Sequence, residues 1–172
     1  ILSQTDNLKI LTHLGRPSEN DPVADEFSLA PVAKRLSELL GKEVKLVKSL
    51  DELKASKSLT MLENIRSFEG EKNNDEELSK KLGQLGEIFV MDAFGTAHRK
   101  QASTYGIVNF IKEACFGLLI EEEMDALEKI VLNPAKPLLG IIGGSKISTK
   151  INVIESLTNH CDWLIVGGAL AN

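Results

Sequence analysis

The feature that most limits what this chain can fold into is a recurring unit: a short apolar stretch of strand character runs directly into a turn that carries His, Arg or Lys. It occurs at Ile10-Leu11-Thr12-His13-Leu14-Gly15-Arg16-Pro17, at Thr60-Met61-Leu62-Glu63-Asn64-Ile65-Arg66, at Ile88 to Arg99, and at Leu139-Gly140-Ile141-Ile142-Gly143-Gly144-Ser145-Lys146. Stretches of helical periodicity separate these units, and strand alternating with helix predicts right-handed βαβ crossovers and a parallel sheet. In a doubly wound sheet the carboxyl ends of the parallel strands lie along one edge, so these cationic exits are expected to meet in one crevice. The ligand such a crevice suits is an anion, expected to be phosphorylated.

Along the chain, Leu8 to Leu14 reads as a strand, and Asn20-Asp21-Pro22 marks a turn in the polar loop that follows. Leu29, Val32, Ala33, Leu36, Leu39 and Leu40 recur at helical spacing, with Ser28 as the expected N-cap and Gly41 as the stop. Val44 to Val47 and Leu59 to Glu63 read as strands. Asn74 or Asp75 is expected to cap a helix through Leu78, Leu82 and Leu85 that leads to a strand at Glu87 to Met91. Ser103 to Ala114 has a weaker helical pattern. After Gly117 a longer amphipathic helix begins, with Leu119, Ile120, Met124, Leu127, Ile130 and Val131 apolar and Asn133-Pro134 ending it. A fresh βαβ unit follows: strand Leu138 to Ile142, helix Ser148 to Asn159, strand Trp163 to Val166 and a Gly167-Gly168 turn. The expected organisation is a three-layer α/β/α lobe over residues 1–118, a joining helix at 119–134, and the truncated beginning of a second, similar lobe at 135–172. The start at Ile1 without Met and the finish at Asn172 just past a strand read as cut ends.

Composition narrows the function classes. With 42% hydrophobic and 26% charged residues and only five prolines, the chain fits an ordered α/β protein rather than a disordered one. A net charge of −5 argues against nucleic acid as a partner, since that normally needs a basic face, whereas a local basic site suits a small anion. Cys115 and Cys161 lack metal-ligand spacing and are expected to be buried free thiols. No apolar run approaches a membrane span, so no membrane partner is expected and the cytoplasm is the expected compartment.

Each cationic turn also has a plainer reading. Arg66 could pair with Glu63, His98 and Arg99 could cap neighbouring turns, and Asp92 is expected to hold its turn through a backbone bond. Gly143-Gly144-Ser145-Lys146-Ile147-Ser148-Thr149-Lys150 lets backbone amides approach a phosphate at a helix start, with Lys146 and Lys150 adding charge. It departs from the P-loop pattern, which places Gly immediately before Lys-Ser/Thr, and taken alone such a turn can be a solvated connection. No glycine turn carries G-x-G-x-x-G, so a dinucleotide-dependent oxidoreductase is a weak alternative; a non-catalytic anion-binding domain is the stronger rival.

Taken together, Thr12-His13-Leu14-Gly15-Arg16-Pro17, Leu62-Glu63-Asn64-Ile65-Arg66, Asp92-Ala93-Phe94-Gly95-Thr96-Ala97-His98-Arg99, the Gly143 to Lys150 stretch and Val166-Gly167-Gly168-Ala169-Leu170-Ala171 resemble the phosphoglycerate kinase family, in order and over essentially the whole chain. The resemblance implies Rossmann-like lobes and reversible phosphoryl transfer from 1,3-bisphosphoglycerate to ADP, giving 3-phosphoglycerate and ATP. By motif match it places His13, Arg16, Arg66, His98 and Arg99 around the phosphoglycerate. It places Gly143, Gly144, Lys146, Lys150, Gly167 and Gly168 at the nucleotide, with Lys150, Lys146 and Arg16 as the catalytic cations. Mg2+ would arrive with ADP or ATP, held by a carboxylate outside these residues, and a monomer is expected. These 172 residues alone are expected to be inactive. Thr12 where Ser is common, Met91 where Asn often stands, Lys100-Gln101 where Ala-His is frequent, and Ser145 where Ala is usual are departures that remove no required charge.

Overall fold

Two- to five-residue apolar runs set between helices give short strands, and every observed strand pair is parallel. The computed structural model describes residues 1–132, 134–144 and 150–171. The chain divides into two compact units, residues 1–120 and 121–172. In the first, β1 (Lys9–Ile10), β2 (Lys45–Val47) and β3 (Thr60–Leu62) form a sheet in the order β1-β3-β2, with α1 (Ala30–Leu40) and α2 (Leu50–Ala55) in the crossovers. The register sets Ile10 and Leu46 beside Met61.

Alternation along β3 builds a core on each face. Met61 joins Leu29, Ala33, Val44 and Leu59 under α1. Leu62 points the other way, among Val47, Leu53, Ile65, Leu78, Leu82 and Ile107, beneath α2 and α3 (Glu76–Gly83). This is the expected α/β/α layering. The buried stripe of α1 is narrower than its periodicity suggests: Leu29 and Ala33 are buried, whereas Val32, Leu39 and Leu40 are exposed, Leu40 because it is the last residue before the left-handed Gly41. Leu29 occupies the N-cap, and Ser28, one residue earlier, accepts from the Ala30 amide. Asp75 caps α3 as expected, accepting from the Leu78 amide at 2.8 Å.

The remaining strands of this unit are β4 (Ile88–Met91) and β5 (Glu113–Phe116), paired in a separate two-stranded sheet. The helix expected over Ser103 to Ala114 does not form. That stretch is a turn, a 3-10 segment at Gly106–Asn109 and then β5. Gly106 lies so close to the Ser79 and Asn74 side chains that a Cβ would collide with them, and Ile107 enters the core. Tertiary packing thus overrides a weak helical period. Between the unpaired edges of β1 and β4 lies a cleft of about 590 Å³ that includes Leu8, Leu11, Ile88 and Val90. β1 is shorter than the expected Leu8 to Leu14 because only its β3 side has a partner, and the backbone bends at Gly15. Cys115 is exposed on β5 rather than buried, and Cys161 is half-buried; both are free thiols.

Helix α5 (Leu118–Val131) begins in the first unit, where Asp92 Oδ1 accepts from the Leu119 amide at 2.8 Å and from the Ile120 amide at 3.1 Å. The short α4 (Phe94–Ala97) precedes this link. In the second unit β6 (Leu139–Gly143) and β7 (Trp163–Gly167) run in parallel with α6 (Ile151–His160) as their crossover. The start expected for this helix at Ser148 lies outside the described residues, as does Asn133. No described helix is long and apolar enough to cross a membrane.

Candidate functional site

The first unit gathers its cations where β1, β3 and β4 run out. Leaving β3, the chain turns at Asn64, which has φ 2° and ψ 94° and is fully buried. Its Nδ2 donates to the Leu14 carbonyl at 2.7 Å and the Phe27 carbonyl at 3.0 Å, while its Oδ1 accepts from the Arg66 amide at 3.3 Å. Asn64 therefore locks the His13–Arg16 turn to the Arg66 turn, and the Ile65 amide adds a bond to the Thr12 carbonyl at 3.2 Å. Gly15 has φ +64°, and a Cβ there would stand 2.6 Å from the Phe27 ring, so only glycine fits this close approach.

Arg66 is the centre of the group. Its Nη1 donates to the Gly15 carbonyl at 3.1 Å, and its Nη2 is buried with no partner among the described residues. The whole residue is 7% exposed. Glu63, the partner that sequence proximity suggests, is engaged elsewhere: its carboxylate accepts from the Leu29 amide at 2.7 Å and from Ser28 Oγ at 3.0 Å, fixing the start of α1. A buried guanidinium whose Nη2 has no partner among the described residues, in a group of like charges, suits an anionic acceptor.

Electrostatics confirms which side chains cluster. Burial first, and then the positive charges of Arg66 and Arg99, hold the His13 imidazole below the usual histidine value. Burial, Arg99 and Arg16 likewise disfavour the charged form of Arg66, and Glu71 opposes them. Arg66 thus lies within charge range of His13, Arg16 and Arg99. His98 occupies the exposed C-terminal end of α4, and no described bond draws its ring to them. Arg99 is held through its backbone, its amide donating to the Thr96 carbonyl at 2.9 Å and its carbonyl accepting from Thr104 Oγ1 at 2.7 Å. Asp92 is structural, but its described side-chain bonds go to the start of α5 and not to its own turn as expected.

Sequence reasoning assigned no task to Asn64 or Glu71. Asn64 was visible as an Asn at a strand exit. Glu71 lies in the polar run Glu69-Gly70-Glu71-Lys72-Asn73-Asn74, which resembles a solvated loop, yet it is 1% exposed. Burial pushes its carboxyl above the usual range, against the pull of its Ser103 hydrogen bonds and of the Arg66 charge.

The second unit presents a different surface for an anion. Gly143 pairs with Gly167 at the carboxyl ends of β6 and β7, and Gly144 and Gly168 follow with φ +149° and +66°. A Cβ on Gly168 would come within 3.3 Å of the Gly144 carbonyl oxygen, so the two glycine turns lie against each other. Lys150 Nζ donates to the Gly143 carbonyl at 2.9 Å, which places its charge at this turn, directly against Gly144. Gly143, Gly144, Gly167, Gly168 and Lys150 are therefore brought together. Lys146 lies outside the described residues. Among the described residues no group of three or more His, Cys, Asp or Glu side chains is placed to hold a metal ion.

Comparison with known proteins points to one family. The family model described as phosphoglycerate kinase matches residues 1–172. The phosphoglycerate kinase of Desulfovibrio desulfuricans is 52% identical over 164 residues, which are 95% of this chain and 42% of that protein. That of Francisella tularensis subsp. novicida is 49% identical over 175 residues, covering 100% of this chain and 44% of its own. Among solved structures, phosphoglycerate kinase from Coxiella burnetii superposes with a TM-score of 0.85 at 47% identity, covering 97% of this chain and 43% of that one. The Pyrococcus horikoshii enzyme gives 0.80 at 29% identity, covering 99% and 45%. The chain thus spans less than half the length of the relatives it matches, and over all of its own length it belongs to the phosphoglycerate kinase family.

Proposed function

We propose that these 172 residues carry the 3-phosphoglycerate site and the first part of the nucleotide site of a phosphoglycerate kinase, which transfers a phosphoryl group reversibly between 1,3-bisphosphoglycerate and ADP. Residues 1–118 form the phosphoglycerate lobe, 119–134 the interlobe helix, and 135–172 the beginning of the nucleotide lobe. The observation that carries this reading is Arg66, buried within charge range of His13, Arg16 and Arg99 with Nη2 unpartnered among the described residues. A phosphate dianion is an acceptor that can take this donor and neutralise the cluster.

Phosphoryl transfer proceeds in line through a loose, metaphosphate-like transition state, so it asks a protein for positioning and positive charge rather than for a nucleophile. Arg16, Arg66, Arg99 and His13 hold the phosphoglycerate, with His98 at the rim. The amides of Gly143, Gly144, Gly167 and Gly168 cradle the nucleotide phosphates, and Lys146 and Lys150 set charge where the transferring group develops it. Mg2+ accompanies the nucleotide. The described residues suit a phosphate chain but supply no carboxylate cluster for the cation, so no step here runs through it. The protein acts as a monomer in the cytoplasm.

The test is titration of a full-length chain with 3-phosphoglycerate, alongside Arg66→Ala. Saturable binding to the wild type that is lost in the variant supports the site; equal binding by both overturns it. ATP formation from ADP and 1,3-bisphosphoglycerate separates a kinase from a non-catalytic anion sensor.

A further inference from the structure

Among the described residues, Glu71 is a strongly buried carboxylate close to the cluster that the proposed chemistry leaves without a task. It does not sit in the group by direct contact with a cation. Its Oε1 accepts from Ser103 Oγ at 2.6 Å and its Oε2 from the Ser103 amide at 3.0 Å, while its own carbonyl accepts from the Ala102 amide at 3.0 Å. All three bonds cross from the segment after Arg66 to the segment after Arg99, a sequence separation of about thirty residues. The clamped segment is otherwise held by packing: Ala102 is fully buried, and Gly106 lies against Ser79 with no room for a Cβ. On the other side, the Phe68 carbonyl accepts from the Glu71 amide at 3.2 Å, one step beyond the 3-10 turn Ile65–Ser67 that carries Arg66.

We propose that Glu71 is a positioning residue for the anion site: its carboxylate clamps the Arg99-bearing segment to the Arg66-bearing turn and so sets the spacing of the two guanidinium groups. The inference rests on the reading of that cluster as the phosphoglycerate site. Its second effect is electrostatic. Glu71 offsets part of the repulsion among Arg66, Arg99 and Arg16 while the site holds no ligand, and Glu19 adds a further negative charge within range. Geometry and charge act in opposite directions on an incoming anion. The clamp favours binding by preorganisation, whereas the negative charge itself weakens it.

That opposition gives a test that a purely structural residue would fail. In full-length chains carrying these residues, Glu71→Ala removes clamp and charge, Glu71→Gln keeps an acceptor for Ser103 and removes the charge, and Ser103→Ala loosens the clamp while leaving the charge. The expected result is that Glu71→Ala raises the Michaelis constant for 3-phosphoglycerate by about tenfold to a hundredfold, as misplacement on the order of 1 Å can, with the ATP constant unchanged. Glu71→Gln restores wild-type affinity or exceeds it, and Ser103→Ala falls between. Should Glu71→Ala not fold, Ser103→Ala and Glu71→Gln still decide the matter. Equal phosphoglycerate constants in the wild type, Glu71→Gln and Ser103→Ala overturn the positioning role and leave the anion site standing. A wild type that does not bind 3-phosphoglycerate overturns the site itself, and the clamp's purpose with it.

Discussion

At Arg66 a guanidinium loses most of its water, gains a single carbonyl, and lies within charge range of His13 and Arg99. Such an arrangement costs stability unless an anion completes it, because an unsatisfied buried donor is worth about 1–3 kcal/mol, and more when charged. The same charges give His13 a readable titration. Its folded value is depressed by burial, Arg66 and Arg99, so between that value and the ordinary 6.5 the unfolded chain binds more protons than the folded one. Stability from this residue is therefore full above about pH 6.5 and declines as pH falls through the window below it. NMR titration of the His13 ring should give a value under 6.5 in the free protein and a higher one with 3-phosphoglycerate bound, because the anion cancels the neighbouring arginines. An unchanged value on saturation would remove the ligand from this cluster. Lys150 has a different signature: in a full-length chain Lys150→Ala should lower turnover at saturation, whereas neutralising Arg16 or Arg99 should act chiefly on phosphoglycerate binding. Steady-state kinetics that show only a Michaelis-constant change for Lys150→Ala would make it a ground-state contact.

The elements hold these side chains through turns and caps, and there the sequence was unevenly readable. Strands β2, β3, β4, β6 and β7 and helices α1, α3 and α5 coincide with apolar runs or periodic stripes bounded by caps, so local signals and tertiary packing agree. Helix α2 went unread although Ser49-Leu50-Asp51-Glu52 has the sequence of a capping box: Ser49 Oγ accepts from the Glu52 amide at 3.2 Å, and Glu52 Oε2 reaches back to the Lys48 amide at 3.0 Å, one residue before the N-cap. Strand β5 was illegible for a deeper reason. Glu113 to Phe116 has no alternation, and its pairing with β4 is a long-range fact that no local period encodes. The cationic turns were legible as a set, since Arg66 lies within charge range of His13, Arg16 and Arg99, but the clamps behind them, Asn64 and Glu71, are polar residues whose burial depends on segments far away in sequence. The turn at Gly15 shows how tightly an element controls the site. Gly15→Ala introduces a side chain at φ +64° and into the Phe27 ring, so it should destabilise by roughly 1–3 kcal/mol, the cost of an unfavourable backbone region with a clash added. Denaturant unfolding measures that loss; a variant as stable as the wild type would mean that the turn yields easily and does not fix Arg66 through its carbonyl.

At the scale of the molecule, binding and transfer should separate. The first unit has its own two-sided core and its own cationic cluster, which are the requirements for holding one anionic substrate. The second unit is a two-stranded sheet with one crossover helix, and Ile141 and Trp163 on its strands stay exposed. A two-stranded sheet is marginal by itself, and unpaired edges invite association with other chains. Transfer demands more than the described residues supply. An acceptor and a donor must be held in line with a neutralising cation beside them, and such positioning lowers the barrier by as much as about 7–11 kcal/mol, a loss far beyond what Lys150 and glycine amides could offset. The 172 residues on their own should therefore retain some affinity for 3-phosphoglycerate, form no ATP from ADP and 1,3-bisphosphoglycerate, and aggregate more readily than a chain of the relatives' full length. Intact mass fixes which polypeptide is in the tube, a coupled assay reads ATP, and light scattering reads association. Turnover approaching that of a full-length enzyme by a sample of matching mass would show that a second copy completes the site or that the argument from positioning is wrong, and analytical ultracentrifugation of the active species would tell these apart.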